Sequence, residues 1–213
     1  GSSIGGNGTL ALFANTVLAT GNASLSTPML SSRIAGSSDN LVFLTSGSGT
    51  TLTVDSVLAT GERVTKYGDG TLLLNQRSLN SSPFVVGQGT LKLGPNGAIN
   101  PLLSIAVQNG AIFDLNGADR TTGTLVPSAA VGTFQLGQIQ DGTVALGANR
   151  LTLYDASSNI WTGNIIGNGG ITKAFFSSGT STFTQPLSYT GSTVIRAGTL
   201  QLASAGTLAS TSI

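Results

Sequence analysis

Two lysines stand in matched surroundings, Val64-Thr65-Lys66-Tyr67-Gly68 and Ile171-Thr172-Lys173. A lysine next to a serine can act as base for a hydroxyl nucleophile, and an ammonium can hold a sugar hydroxyl. The plainer expectation, adopted for both, is a solvated lysine at a chain corner. Eight acids offer the other chemistry: Asp39, Asp55, Glu62, Asp69, Asp114, Asp119, Asp141 and Asp155. Glycan hydrolysis needs two carboxylates flanking one bond, and calcium needs several oxygen ligands on one face. These acids are isolated and mostly sit beside turns. Asp114 and Asp119 are the most closely spaced, and Asp114, in Asp114-Leu115-Asn116-Gly117, is expected to bond turn amides.

The sequence has no histidine and no cysteine. The commonest general base and metal ligand is therefore missing, as are thiolates and disulfides. Tyr67-Gly68-Asp69-Gly70 and Gly167-Asn168-Gly169-Gly170 look superficially like calcium-binding nonapeptides. They lack the tandem nine-residue spacing, and no Gly-Lys-Ser/Thr phosphate loop occurs. No catalytic, cofactor-binding or metal-ligating residue is assigned, no cofactor is expected, and the chain is expected not to be an enzyme. The aromatics Phe13, Phe43, Phe84, Phe113, Phe134, Phe175, Phe176, Phe183, Tyr67, Tyr154, Tyr189 and Trp161 are expected to be interior stacks rather than a sugar-stacking platform.

Composition narrows the partners. Only 8% of the 213 residues are charged and the net charge is +1. No Lys/Arg cluster exists to attract nucleic acid. No apolar run approaches the ~18 residues of a spanning helix, so no membrane insertion by this segment is expected. With few titrating groups, stability is expected to change little between pH 5 and 9. No leader peptide is recognised at the start, so a secreted chain would be mature or excised from something longer.

The elements that must position these residues are repeats. Gly-Thr and an apolar pair recur at Gly8-Thr9-Leu10-Ala11-Leu12, Gly70-Thr71-Leu72-Leu73-Leu74, Gly89-Thr90-Leu91-Lys92-Leu93, Gly142-Thr143-Val144-Ala145-Leu146 and Gly198-Thr199-Leu200-Gln201-Leu202. Gly110-Ala111-Ile112 is a degenerate copy. The glycines at 49, 70, 89 and 110 step by 21, 19 and 21 residues. Thr16-Val17-Leu18-Ala19-Thr20-Gly21 and Ser56-Val57-Leu58-Ala59-Thr60-Gly61 echo each other 40 residues apart. A period near 20 marks a solenoid, and the alternation inside each unit is that of a strand. Leu-x-Leu puts two side chains inward, and the middle position (Ala11, Leu73, Lys92, Ala145, Gln201) faces out. The glycines are expected at corners, with positive φ where needed. The expected architecture is all-β, a parallel β-helix of about 10 coils of roughly 20 residues, a rod of about 50 Å at ~4.8 Å per coil. One domain is expected over 1–213, with repeat-like segments at 62–93 and 161–202.

Trp161-Thr162-Gly163-Asn164-Ile165-Ile166-Gly167-Asn168-Gly169-Gly170-Ile171-Thr172-Lys173, followed by Tyr189-Thr190-Gly191-Ser192-Thr193-Val194-Ile195-Arg196-Ala197-Gly198-Thr199-Leu200, resembles the passenger-associated repeat of bacterial autotransporters. A second copy runs from Val64-Thr65-Lys66 to Gly89-Thr90-Leu91. Lysine to closing glycine is 23 residues here (66 to 89) and 25 in the other (173 to 198). Asn109-Gly110-Ala111-Ile112-Phe113-Asp114-Leu115-Asn116-Gly117 is similar to a further element of that family. The sequence departs from the family pattern at Phe175-Phe176-Ser177-Ser178-Gly179-Thr180, and it carries no export barrel. The resemblance implies a right-handed parallel β-helix (β-solenoid) at, or released from, a Gram-negative cell surface.

Three functions follow as expectations. The first is a non-catalytic extracellular scaffold, a rod or fibre for adhesion, cell–cell contact or matrix, with cell-surface or matrix partners and polysaccharide as a further candidate. The second is a complete subunit that self-associates end to end into an extracellular filament. The third, ranked last, is a carbohydrate-active β-helix enzyme.

Overall fold

Thr71–Leu74, in sequence Thr-Leu-Leu-Leu, shows how the repeat works. Successive side chains of a strand point to opposite faces, so Leu72 and Leu74 are buried while Thr71 and Leu73 are half-buried on the outside. Its neighbours on either side are earlier and later copies of the same pattern, Thr51–Val54 and Thr90–Leu93, paired parallel and in register. Thr51, Thr71 and Thr90 are aligned, as are Leu52, Leu72 and Leu91.

A computed structural model of the chain describes residues 1–12, 16–32, 40–99, 104–108, 110–115, 135–139, 142–153, 158–173, 178–203 and 206–209. Those residues form strands, turns and irregular segments without helix, and every strand pairing among them is parallel. One long sheet carries nine strands, a second carries six, and three more carry three each. Asn40–Thr45 belongs to the six-stranded sheet, Thr51–Val54 to the nine-stranded sheet and Val57–Thr60 to a three-stranded one; Arg63–Tyr67 then returns to the first. Each winding therefore has three sides. The chain is a β-solenoid.

The coils are unequal. From Thr51 the chain returns to the same rung position at Thr71, Thr90 and Ile112. However, the turn from Ala23 to Leu52 and that from Ile112 to Thr143 are each about half as long again. Two long windings consume the length that ten uniform coils would have used, so the long sheet has nine rungs.

The interior is a set of columns. Leu52, Leu72, Leu91, Phe113, Val144, Ile165 and Leu187 stack rung upon rung on the long sheet, and none is more than 1% exposed. Full burial of each such side chain stabilises by roughly 1.5–3 kcal/mol. Phe43, Phe84, Phe183, Trp161 and Tyr189 are also buried, as expected of interior stacks. Trp161 and Phe183, register partners, lie stacked with ring centroids 5.7 Å apart. Phe13, Phe134, Tyr154, Phe175 and Phe176 lie outside the residues whose side chains are described.

Three sequence expectations need correction. First, the Gly-Thr-Leu-x-Leu copies do not share one face. Those at 70–74, 89–93 and 142–146 lie on or run into strands of the nine-stranded sheet, whereas Thr9–Leu12 and Thr199–Leu202 lie on two different three-stranded sheets. Second, the echo of residues 16–21 at 56–61 joins unlike positions: Thr16–Ala19 is on the six-stranded sheet and Val57–Thr60 on a three-stranded one. Third, only two of the four expected glycines, Gly89 and Gly110, have positive φ (66° and 74°); evenly spaced with them are Gly47 and Gly68 (95° and 81°), and positive φ recurs at Gly6, Gly147, Gly167 and Gly198. Gly49 and Gly70 are not among the positive-φ glycines. At Gly70 the requirement is close approach, because a Cβ there would collide with the carbonyl oxygens of Thr50 and Gly47.

Candidate functional site

The strand Arg63–Tyr67 ends at one of those corners. Val64 and Lys66 point inward by alternation, and Tyr67 points out. Lys66 occupies the interior column Phe43–Lys66–Val86–Val107 and is 1% exposed. Its methylenes pack in an apolar column, and its ammonium reaches the corner. There Nζ donates to the carbonyl oxygens of Tyr67 (2.9 Å), Gly68 (2.6 Å) and Gln88 (3.0 Å). An ammonium has three donors, and all three are used. Two acceptors belong to the lysine's own coil and the third to the next, so the side chain ties two coils together. Burial pulls the Lys66 pKa down to about 8, and the nearby Asp69 carboxylate partly offsets that. At neutral pH the group remains mostly charged.

The expectation of a solvated lysine is thus overturned, and at Lys173 too. Lys173 is in register between Leu153, which is buried, and Ile195, which is exposed, and is itself 0% exposed. Its Nζ donates to Ser181 Oγ at 2.9 Å, and Ser181 is also 0% exposed. The structure thus forms the serine–lysine contact that the residue types allow, but seals both partners inside the solenoid. A proton can be shared there; a substrate cannot reach it without opening the coil.

The two lysine-bearing repeats are also rotated relative to each other. In the first, lysine is on the six-stranded sheet and the closing Gly-Thr-Leu on the nine-stranded one. In the second, Ile171–Lys173 and Thr199–Leu202 occupy the two three-stranded sheets of the C-terminal half, and the nine-stranded sheet receives Leu187–Tyr189 instead. Tyr189 consequently points in. It is fully buried, and its hydroxyl lies 2.6 Å from Thr193 Oγ1. Burial pushes its phenol pKa up, while the Thr193 hydrogen bond and the Arg150 charge pull the other way. Tyr67, by contrast, is 40% exposed. Its ring lies over Gly87 of the next coil, where a Cβ would strike the ring.

Among the described residues the acids do not converge. Asp55 accepts from Asn75 Nδ2 at 2.7 Å, Asp69 from Gln88 Nε2, and Asp114 lies 3.2 Å from Lys92 Nζ on the outside of the long sheet. Asp39, Asp119, Asp141 and Asp155 lie outside the described residues. Among the described residues no three His, Cys, Asp or Glu side chains are placed to hold a metal ion.

The buried lysines carried a sequence signal that composition obscured. Val64 and Ile171 are inward strand residues, so the residue two further on must also be inward. What no local pattern reveals is the carbonyl of Gln88, 22 residues away.

No family model matches the sequence, and no solved structure matches it. A protein of Brucella suis biovar 1 (strain 1330), described as adhesin BmaC autotransporter, is 34% identical over 168 residues. The chain is a β-solenoid similar to part of an autotransporter adhesin. The match covers 76% of this chain and 5% of the relative, so the chain spans a small part of that protein's length.

Proposed function

We propose that this passenger-type segment is a non-catalytic, adhesin-like scaffold at the outer surface of a Gram-negative bacterium, presenting its outer faces to cells or matrix. The observation that carries the reading is the closed interior: both lysines and Ser181, the residues best suited to nucleophilic chemistry, are consumed inside the rod. What remains outside is built mostly from Ser, Thr, Asn and Gln with few charges. The similarity to a protein described as an adhesin supports the same reading.

The test is adhesion of beads coated with the purified chain to cultured epithelial cells and to immobilised matrix proteins. Beads carrying the folded chain are expected to adhere well above beads carrying heat-denatured chain. Equal adhesion of the two, or cleavage of a polysaccharide panel by the purified chain, would overturn the reading. Electron microscopy of the same preparation separates the filament alternative, which requires long fibres rather than dispersed short rods.

A further inference from the structure

Outside the Lys66 corner lie three exposed residues: Tyr67 and Asp69 on one coil and Gln88, beside Gly87, on the next. The Tyr67 ring lies against Gly87 of the next coil and is 40% exposed to solvent. Gln88 Nε2 donates to Asp69 Oδ1, so an amide and a carboxylate are linked beside the ring. Each retains further hydrogen-bonding capacity: the amide has a second N–H and an acceptor oxygen, and the carboxylate a second oxygen. A flat aromatic face beside paired donors and acceptors matches a pyranose, which has an apolar C–H face and a rim of hydroxyls.

We propose that this corner is a binding platform for an uncharged saccharide. The inference rests on the surface-scaffold reading above and names its ligand class and site. Local charge argues for neutrality: the Asp69 carboxylate is offset by the Lys66 ammonium behind it, and the chain's net charge is only +1. No field exists to gather an acidic polymer. The platform is also held rigid from within, because the ammonium is bonded to the carbonyls of Tyr67, Gly68 and Gln88. Groups fixed before the ligand arrives lose little freedom on binding. The feature is specific to this corner. Among the described residues the other exposed large apolar side chains are aliphatic.

The test uses cellohexaose, maltohexaose and mannohexaose as uncharged probes and a hyaluronan hexasaccharide as the acidic one, with saturation-transfer NMR and calorimetry. At least one uncharged probe is expected to bind. Tyr67→Ala should weaken it about tenfold or more, through loss of the ring, while Tyr67→Phe stays within about threefold. Gln88→Ala should weaken binding about three- to tenfold through loss of a hydrogen bond. Gln88 and Asp69 are exposed, so Gln88→Ala and Asp69→Asn report on the site even if Tyr67→Ala misfolds. No binding of any uncharged probe at millimolar concentration overturns the proposal, as does binding of hyaluronan alone or unchanged affinity in both Tyr67→Ala and Gln88→Ala. The bead assay separates the two levels: wild-type beads that adhere without any saccharide binding defeat the platform alone, whereas wild-type beads that do not adhere defeat the scaffold reading beneath it.

Discussion

Lys66 and Lys173 occupy the same place in two copies of one repeat, and the fold uses them differently. Both are buried. The ammonium of Lys66 is caged by three main-chain carbonyls from two coils; that of Lys173 meets a side-chain hydroxyl eight residues on. Beside Lys66, Tyr67 lies exposed against Gly87 of the next coil. A repeat sequence thus fixes that a lysine turns inward, but the face on which the repeat begins decides what it meets there. The rotation by one face between the copies changes the neighbours without changing the motif.

Substitution of the lysines should separate the corners most strongly. Lys66→Ala leaves three carbonyls without their donor and a void in the column, and should cost about 3–5 kcal/mol. Lys66→Met refills the column and should cost about 1–3 kcal/mol, the penalty of the orphaned carbonyls. Lys173→Met combined with Ser181→Ala removes both partners of their shared hydrogen bond and refills the lysine's place, and should cost less than Lys66→Ala, which leaves a void. Urea denaturation of the three variants ranks them; equal losses at the two lysines would remove the distinction.

The corner glycines come next. Gly68 has φ of +81°, and a Cβ there would collide with the Thr45 main chain. Gly68→Ala should destabilise by about 1–3 kcal/mol. Gly61, where a Cβ meets nothing within 4 Å, is the control. Gly61→Ala should stay within about 0.5 kcal/mol. Thermal melts of the pair suffice, and similar shifts in both would show that the corner is not constrained as described.

A smaller effect lies in the pH dependence. Lys66 has a pKa of about 8 in the fold against 10.5 for an ordinary lysine. Between those values the unfolded chain holds the extra proton, so stability rises with pH. Tyr189 works in the opposite direction: burial raises its phenol above the ordinary value of 10.0, so its contribution fades at higher pH. The melting temperature should therefore be flat from pH 5 to about 8, climb from there toward pH 10, and cease climbing above it. Lys66→Met should abolish the climb. The flat profile to pH 9 expected from composition is shortened at its upper end by one buried group.

The outer face supplies the smallest term. Lys92 and Asp114 pair across adjacent rungs with side chains 37% and 23% exposed. Asp114→Asn should change stability by about 0.5 kcal/mol or less, diminishing further in salt. A larger loss would mean that this pair, and not the caged lysine, is the main electrostatic tie between coils.

Much of this fold was legible before the structure. Leu72, Leu91, Phe113 and Val144 announce themselves by alternation and recurrence, since stacked coils require like residues above like. The rotation of the second repeat was not legible, because Gly198-Thr199-Leu200 reads identically whichever sheet receives it. The long windings after Ala23 and Ile112 hid the true rung count for the same reason. The Lys66 cage was half legible: Val64 two residues earlier implied the inward direction, but the acceptor at Gln88 depends on coil stacking. The pairing of Tyr67 with Gly87 is likewise a relation between coils that neither sequence neighbourhood carries alone.

The claim on which the rest stands is parallel, in-register stacking, and the absence of native cysteine makes a direct measurement available. Thr71 and Thr90 are register partners on neighbouring rungs. Their Cα atoms should lie about 4.8 Å apart, within disulfide reach. Lys92, two residues along the same strand, should be about 8 Å from Thr71 and out of reach. Mild oxidation of Thr71→Cys/Thr90→Cys should close an intramolecular disulfide rapidly, while Thr71→Cys/Lys92→Cys should remain reduced. Cross-linking of the second pair in preference to the first would contradict the stacking and everything built on it.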